Sequence, residues 1–311
     1  MADQSTDTVH PIASAFTTSG ASGLYDRARP SYPATALTRI FAALRTSLDA
    51  RSSSATTGAN IIELGAGSGI LSRLLIHPPS TVDTHKISIS TLLAVEPSSG
   101  MRASFHQGFQ SLDTPVGETG VTDSETVQVL PGTFADIPAP DNWADAIIIA
   151  QAFHWSHGHY DAAIREFARV LRPNAPLILL WNLEDRTLPA HSWVGPIRDV
   201  YEAFEAGSPQ YRLGLWRAAF ELPEFIDTFA RGREYTEVKW TMPTTVEEVV
   251  QRVKSKSYIT ALGEAERRTV EEKVRAAVGA SVEEKGVVWI DEAGGVFEYP
   301  YATDLYVFWR K

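Results

Sequence analysis

Ile61-Ile62-Glu63-Leu64-Gly65-Ala66-Gly67-Ser68-Gly69 decides the fold of this chain. An apolar run ends in an acid, and glycines follow at alternate positions. The run is too short and too β-branched for a helix of its own. It reads as a strand buried on both faces, the mark of a parallel sheet. The glycines read as the turn out of that strand. There they permit unusual φ values and let another molecule approach the backbone. Ile70 to Ile76 continues as an amphipathic helix whose free amide groups point at whatever occupies the turn. The plain alternative is a glycine-rich turn that holds nothing, and the rest of the chain decides between the two.

Working outward, the same unit repeats. Thr91-Leu92-Leu93-Ala94-Val95-Glu96-Pro97 reads as a second buried strand ending in an acid. Nucleotide-binding folds hold ribose hydroxyls at that position, because a carboxylate accepts both vicinal hydroxyl protons. Thr126 to Leu130, Asp145 to Ala150 and Leu177 to Asn182 read as three more strands. Met101 to Phe109 and Tyr160 to Leu171 read as helices between them. Strand and helix alternate, so the sheet is expected to be parallel and doubly wound. Upstream, Leu37, Ile40, Phe41, Leu44 and Leu48 mark one face of a helix beginning at Ala34. Two prolines and two tyrosines from Leu24 to Pro33 predict a rigid extended segment rather than a helix. Residues 1–23 read as flexible, 51–60 as a linker and 110–125 as a polar loop.

The glycine spacing separates two cofactor classes. A dinucleotide site wants Gly-x-Gly-x-x-Gly with a pyrophosphate at the helix N-terminus. Here the pattern is Glu-x-Gly-x-Gly-x-Gly, which resembles the first motif of class I S-adenosylmethionine-dependent methyltransferases. Tyr25-x-x-x-Arg29-Pro30-x-Tyr32-Pro33, Gln151-Ala152-Phe153-His154-Trp155, Arg169-Val170-Leu171-Arg172-Pro173 and Trp181-Asn182 extend the resemblance. Together they look like the small-molecule branch that is trans-aconitate-methyltransferase-like and UbiE-like. The resemblance implies a Rossmann-like, seven-stranded, mostly parallel sheet closed by an antiparallel pair, here 235–241 with 302–309. It implies residues 1–60 as lid segment and helix, and 61–182 as the S-adenosylmethionine-binding core. Residues 183–280 then form a substrate-side insertion including strand six, and 281–311 supply the closing strand.

The resemblance also assigns residues. Glu63, Gly65, Ala66, Gly67 and Gly69 would wrap the amino-acid end of S-adenosylmethionine, and Glu96 with Pro97 would meet its ribose. Thr133 and Phe134 would lie along the adenine, with Asp136 competing for the exocyclic amine. Tyr25 and Arg29 would close over the cofactor, Arg29 suiting its carboxylate by charge. Gln151 would meet its amino or carboxylate group. Tyr32, Phe153, Trp155, Trp181 and Trp193 are expected around the acceptor. His154 is the candidate general base, since imidazole titrates near neutrality. A histidine that simply walls the pocket is the competing role.

Composition narrows the partners. The chain has 311 residues, is 44% hydrophobic and 21% charged, and carries a formal net charge of −10. That leaves no basic surplus to meet nucleic acid or an anionic membrane. With no cysteine, disulfides and thiolate chemistry are excluded. No stretch has the length of a membrane span or the form of a secretory signal, which points to a cytoplasmic protein. No complete metal-ligand cluster is read around His154, His157 and His159. Ten of the 48 residues from Trp193 to Trp240 are aromatic, about twice the 10% of the whole chain. They are expected mainly to pack a helical cap, and in part to line an apolar cavity.

The expected activity is methyl transfer to a small, partly apolar molecule, a secondary metabolite for instance, leaving S-adenosylhomocysteine. A protein of the same fold that binds the donor without transferring methyl, as a cyclase or binding subunit, is the second reading. A nicotinamide dehydrogenase is the third, disfavoured by the glycine spacing.

Overall fold

The computed structural model describes residues 19–51, 58–118, 125–230, 233–283 and 286–311. In chain order the first half forms α1 (Ser19–Ala28), α2 (Ala34–Asp49), β1 (Gly58–Leu64), α3 (Ile70–Ile76), β2 (Ser88–Val95), α4 (Ser99–Gln110), β3 (Val116–Gly117) and β4 (Val127–Leu130). Then come β5 (Ala146–Ala150), α5 (Tyr160–Val170), β6 (Pro176–Glu184), α6 (Val194–Glu202), α7 (Pro223–Thr228), β7 (Glu234–Thr244) and α8 (Val246–Lys254). The last elements are α9 (Ser257–Thr260), α10 (Glu264–Glu283), β8 (Trp289–Asp291) and β9 (Val296–Trp309).

β1 is central because Ile61 to Leu64 are buried on both sides. It pairs in parallel with β2 on one flank and β5 on the other. The sheet order is β3-β4-β2-β1-β5-β6-β9-β7, with β8 beside β9. β9 runs antiparallel to both β6 and β7. The chain therefore winds outward through β2 and β4, then returns to the opposite flank at β5. The crevice between the ends of β1 and β5 is the point where strand order reverses, and open sheets of this kind bind ligands there.

Side-chain alternation divides the core. Ile61, Ile148, Ile178 and Leu305 face one side, with Leu37, Ile40 and Leu44 of α2 and Leu71 of α3. Ile62, Leu64, Ile147 and Leu179 face the other, with Ile164 and Phe167 of α5. Asp145, 1% exposed, pins the opposite end of the sheet: it accepts from Asn60 N–H at 2.8 Å and from Arg172 at 2.7 Å. A third cluster joins α6, α8 and α10 to the extended ends of β7 and β9.

The class of fold is the expected one, and the strand count differs. Among the described residues nine strands replace seven, because β3 and β8 are two and three residues long, too short to leave a period in the sequence. The segment from Leu24 to Pro33 needs correction. Ser19–Ala28 is helical, and only Arg29 to Pro33 leaves the helix. Pro30 restricts itself and the residue before it, so it ends α1 without touching the turns upstream. Pro33, with φ −69° and ψ 147°, then stands at the N-cap of α2. Residues 1–18, 52–57 and 119–124, parts of the stretches read as flexible, linker and loop, lie outside the described residues.

Candidate functional site

Parallel pairing of β1 with β2 delivers both strand tips to the same edge. Gly65 N–H donates to the carbonyl of Val95 at 2.8 Å. Gly67 N–H donates to Glu96 Oε2 at 2.9 Å, and Ser98 N–H donates to Glu96 Oε1 at 2.8 Å. Arg102 Nη1 donates to the carbonyls of Glu96 and Pro97 at 2.7 and 2.8 Å. Glu96 is buried and Pro97 beside it is exposed. Burial pushes the Glu96 carboxyl above its ordinary range, while the two N–H donors and Arg102 pull it back down.

The three glycines all have positive φ, at +67°, +58° and +80°, for different reasons. A Cβ on Gly65 would stand 2.6 Å from the Ala152 Cβ, so this glycine allows β1 and the post-β5 segment to meet. A Cβ on Gly69 would stand 2.7 Å from the Phe105 ring, so this glycine seats α4. A Cβ on Gly67 would meet no heavy atom of the described residues within 4 Å. Only the middle glycine has an open side. Next to it, Ser68 Oγ is buried and has no hydrogen-bond partner among the described residues. Backbone with clear space above it and a buried orphan hydroxyl beside it suit an approaching polar ligand.

Glu63 sits beneath this turn, 1% exposed, and accepts a hydrogen bond from Ser72 Oγ. Burial pushes its carboxyl up to about 8, against the pull of Ser72 and Arg73; nearby Glu96 adds to the rise. Arg73 donates to the Ser68 carbonyl at 2.8 Å and to Asp26 at 2.7 Å. Asp26 lies on α1, and Ser104 of α4 donates to Ser22 of α1 at 2.8 Å. At its far end, Arg29 donates to the Ser255 carbonyl at 3.0 Å and stacks over Tyr25 at 4.7 Å. α1 is thus a strap tied to α3, α4 and the end of α8, across the edge that carries the glycine turn.

The other expected residues divide into two groups. Phe134 stands by the turn, its ring 3.6 Å from a Cβ built on Gly65. Thr133 N–H donates to the Asp136 carbonyl at 3.0 Å, which closes that turn and leaves the Asp136 side chain exposed. Gln151 has φ +60° at the tip of β5, and its Nε2 donates to the Asn182 carbonyl at 3.0 Å. Tyr32 is half-buried, within electrostatic reach of Tyr25, Glu63 and Arg29. These residues gather at one edge with Ala66, Gly67, Glu96, Tyr25 and Arg29.

The aromatic wall is where placement and expectation part. Trp181 has no exposed surface; it stacks on Tyr211 at 4.4 Å and packs on Trp216 at 4.6 Å, so it is core rather than pocket lining. Phe153 is also fully buried, against Phe134, Tyr160 and Phe167. Trp193 packs edge-on to Phe297 and Tyr299 in the helical cluster. Trp155 is half-buried against the His154 ring. His154 itself is 5% exposed and accepts at Nδ1 from Trp181 Nε1, at 3.2 Å. The geometry assigns the neutral tautomer with its proton on Nε2, which leaves Nδ1 occupied. While that bond stands, Nδ1 is not free to take a proton.

Several neighbours were not singled out from the sequence. Ser98 is one: it caps α4, accepting from Met101 N–H at 3.3 Å, and its own N–H holds Glu96. The serine before an apolar helix was a usable signal. Glu184 with Arg198, Arg252 and Lys256 is another group, buried together between β6, α6 and the end of α8. Charges on helices ordinarily read as solvated faces, so nothing local marks them.

The position of Glu63 has a pH consequence. Its carboxyl ordinarily titrates at 4.5 and in the fold at about 8. Between these values the native state keeps a proton that the unfolded chain has released, so stability falls as pH rises. In chemical denaturation from pH about 5 to about 8, the natural protein is expected to lose stability more steeply than Glu63→Gln. Parallel profiles would contradict the buried, protonated carboxyl.

Comparison with known proteins agrees with this geometry. A methyltransferase domain family matches residues 62–179, from β1 into the first half of β6. An uncharacterized methyltransferase of Mycobacterium tuberculosis is 30% identical over 254 residues, covering 80% of each chain. An uncharacterized methyltransferase-like protein of Schizosaccharomyces pombe is 27% identical over 250 residues, covering 79% of each. Among solved structures, a protein of Anaeromyxobacter dehalogenans described as a type II methyltransferase superposes with a TM-score of 0.55 at 17% identity. That match covers 91% of this chain and 97% of the other, and it speaks to the fold alone. With the glycine turn, the acid-tipped neighbouring strand and a relative 30% identical over 80% of both chains, this protein belongs to the class I S-adenosylmethionine-dependent methyltransferases.

Proposed function

We propose that this protein transfers a methyl group from S-adenosylmethionine to a small, partly apolar acceptor, such as a secondary metabolite, by direct in-line displacement. The observation that carries the reading is the join at Glu96. Its carboxylate reaches back to Gly67 N–H, and the side of Gly67 away from the protein is clear. The donor is implied by the family, and the residues present fit it. Two buried carboxyls, Glu63 and Glu96, stand at the strand tips where a dinucleotide would need to seat a pyrophosphate. Ionised Glu96 repels phosphate and suits hydroxyl donors or a cation, while Glu63 keeps its proton near neutral pH and adds no charge.

Gly67 and Ser68 would hold the amino-acid end, with Tyr25 and Gln151 closing on it; Arg29, expected there from its charge, is turned to the Ser255 carbonyl instead. Glu96 would accept from the ribose hydroxyls. Thr133, Phe134 and Asp136 would border the adenine. When bound, S-adenosylmethionine supplies an already electrophilic methyl carbon. The protein's part is then alignment and exclusion of water. α1 serves both ends, because its ties to α3, α4 and Ser255 fix it across the site. The bond from Trp181 to His154 leaves Nδ1 unavailable as a base. This favours an acceptor atom that carries no proton to remove, or one whose proton leaves to water. The same bond also favours, as a second reading, a protein that binds the donor without transferring methyl.

Calorimetry with S-adenosylmethionine and S-adenosylhomocysteine, followed by product formation over an acceptor panel, tests the function. Tight binding with S-adenosylhomocysteine release is the expected result. Tight binding without release on any acceptor moves the protein to the second reading. Absence of binding, or preference for NADH, overturns both. The glycines supply the control. Gly67→Ala is expected to cost about 1–2 kcal/mol of stability through its positive φ and to weaken donor binding at least about tenfold. Gly69→Ala is expected to cost more stability, because its Cβ meets Phe105. Equal donor affinity in natural protein and Gly67→Ala would contradict the placement.

A further inference from the structure

The region around Glu184 holds more positive charge than its own acids neutralise. Arg252 is 5% exposed, Lys256 8% and Glu184 3%. Arg252 Nη2 lies 3.2 Å from Glu184 Oε1, and Lys256 Nζ lies 3.3 Å from the same oxygen. Arg198 gives Nη1 to the Glu184 carbonyl, and its side chain is already paired with Glu202 at 2.6 Å. Arg29 comes in from the end of α1, bonded to the Ser255 carbonyl. One carboxylate therefore serves Arg252 and Lys256, with Arg29 close behind them. Burial opposes ionisation of Glu184, yet Arg252, Lys256 and Arg198 outweigh it and hold the carboxyl well below its ordinary range. Burial also pushes the Lys256 amine down to about 7; Glu184 pulls it up, and Arg252, Arg29 and Arg198 push it down further.

Two observations point to something that completes this cluster. Arg29 Nε and Arg252 Nη1 are buried with no hydrogen-bond partner among the described residues. Arg29 and Arg252 also line one cavity, of about 410 Å³, between α1, α8 and the extended ends of β7 and β9. Leu24, Met242 and Val249 give the cavity an apolar side; Arg27, Gln251 and Glu248, whose carboxylate is held by the capping box at Thr245, give it a polar one. A buried guanidinium donor left empty is costly, and an oxyanion is the group that satisfies it best. Tyr32 links the two halves of the edge: it lies within electrostatic reach of Glu63 on one side and of Arg29 and Arg252 on the other.

We propose that Arg29 and Arg252, backed by Lys256, hold the carboxylate of the methyl acceptor, while the apolar walls hold its body. The acceptor class is then an amphipathic carboxylic acid, anchored by its charge so that another part of it faces the donor. This rests on the methyl-transfer reading above and narrows it. The anchor is a binding site and takes no part in proton transfer.

The test uses the full chain saturated with S-adenosylhomocysteine, whose own binding is measured first. The probes are 2-naphthoic acid and octanoic acid, each against its neutral amide, with 2-naphthyl phosphate as a third arm. Calorimetry and thermal shift are the readouts. Each acid is expected to bind at least about tenfold more tightly than its amide. Arg252→Gln is expected to erase that preference and leave S-adenosylhomocysteine affinity unchanged. The comparison of acid with amide on the natural protein needs no variant, so it stands if Arg252→Gln fails to fold. Equal affinity for acids and amides overturns the proposal, as does an acid preference that survives Arg252→Gln. Tighter binding of the phosphate than of 2-naphthoic acid overturns the carboxylate assignment. Methyl transfer confined to uncharged acceptors sinks this inference and leaves the methyl-transfer function standing. Failure to bind S-adenosylhomocysteine removes the function, and the acceptor assignment with it.

Discussion

The Glu96 carboxylate spans the gap between two strand tips, and the site is built on that span. Its oxygens accept from Gly67 N–H on one side and Ser98 N–H on the other, so the glycine turn and the start of α4 share one anion. Bonds of this kind contribute about 1.5–3 kcal/mol each, against the cost of burying the charge. Burial still holds the Glu96 carboxyl above its ordinary range. The ionised form therefore gains from any further hydroxyl donor. A pair of vicinal hydroxyls supplies what the protein alone does not.

Two zones of opposite polarity lie along the same edge. Glu96 makes the strand tips acidic, which matches a cationic donor. Arg29, Arg252 and Lys256 make the far end of α1 basic, which matches an anionic acceptor. Tyr32 stands between them and α1 lies across both. On the proposed reading, a sulfonium donor and a carboxylate acceptor would each be drawn to its own end and repelled from the other. α1 has to be in place for either zone to be closed, since Asp26, Ser22 and Arg29 tie it at three points.

The sheet was largely legible because its strands are buried on both faces. Ile61 to Leu64, Leu92 to Val95 and Ile147 to Ile149 are apolar runs with no other local explanation. Thr245 and Glu248 form a capping box that opens α8, a signal carried by four consecutive residues. What could not be read depends on distant partners. Pro30 and Pro33 suggested an extended segment, and the turns before them were still free to coil into α1. Trp181 looked like a pocket residue until Tyr211 and Trp216 closed over it. Most of the aromatic stretch followed it into packing: Phe220, Phe225 and Phe229 surround Phe308, Phe220 at 4.7 Å. Glu184, Arg252 and Lys256 sit on separate elements, and only the folded chain brings them within hydrogen-bonding reach.

The central claim is that the space over Gly67, bounded by Glu96, holds the adenosyl donor. A crystal structure with S-adenosylhomocysteine tests it most directly. The account predicts ribose hydroxyls on the Glu96 carboxylate and the amino-acid end against Gly67 and Ser68. A ligand bound elsewhere, with both of these left untouched, would contradict it.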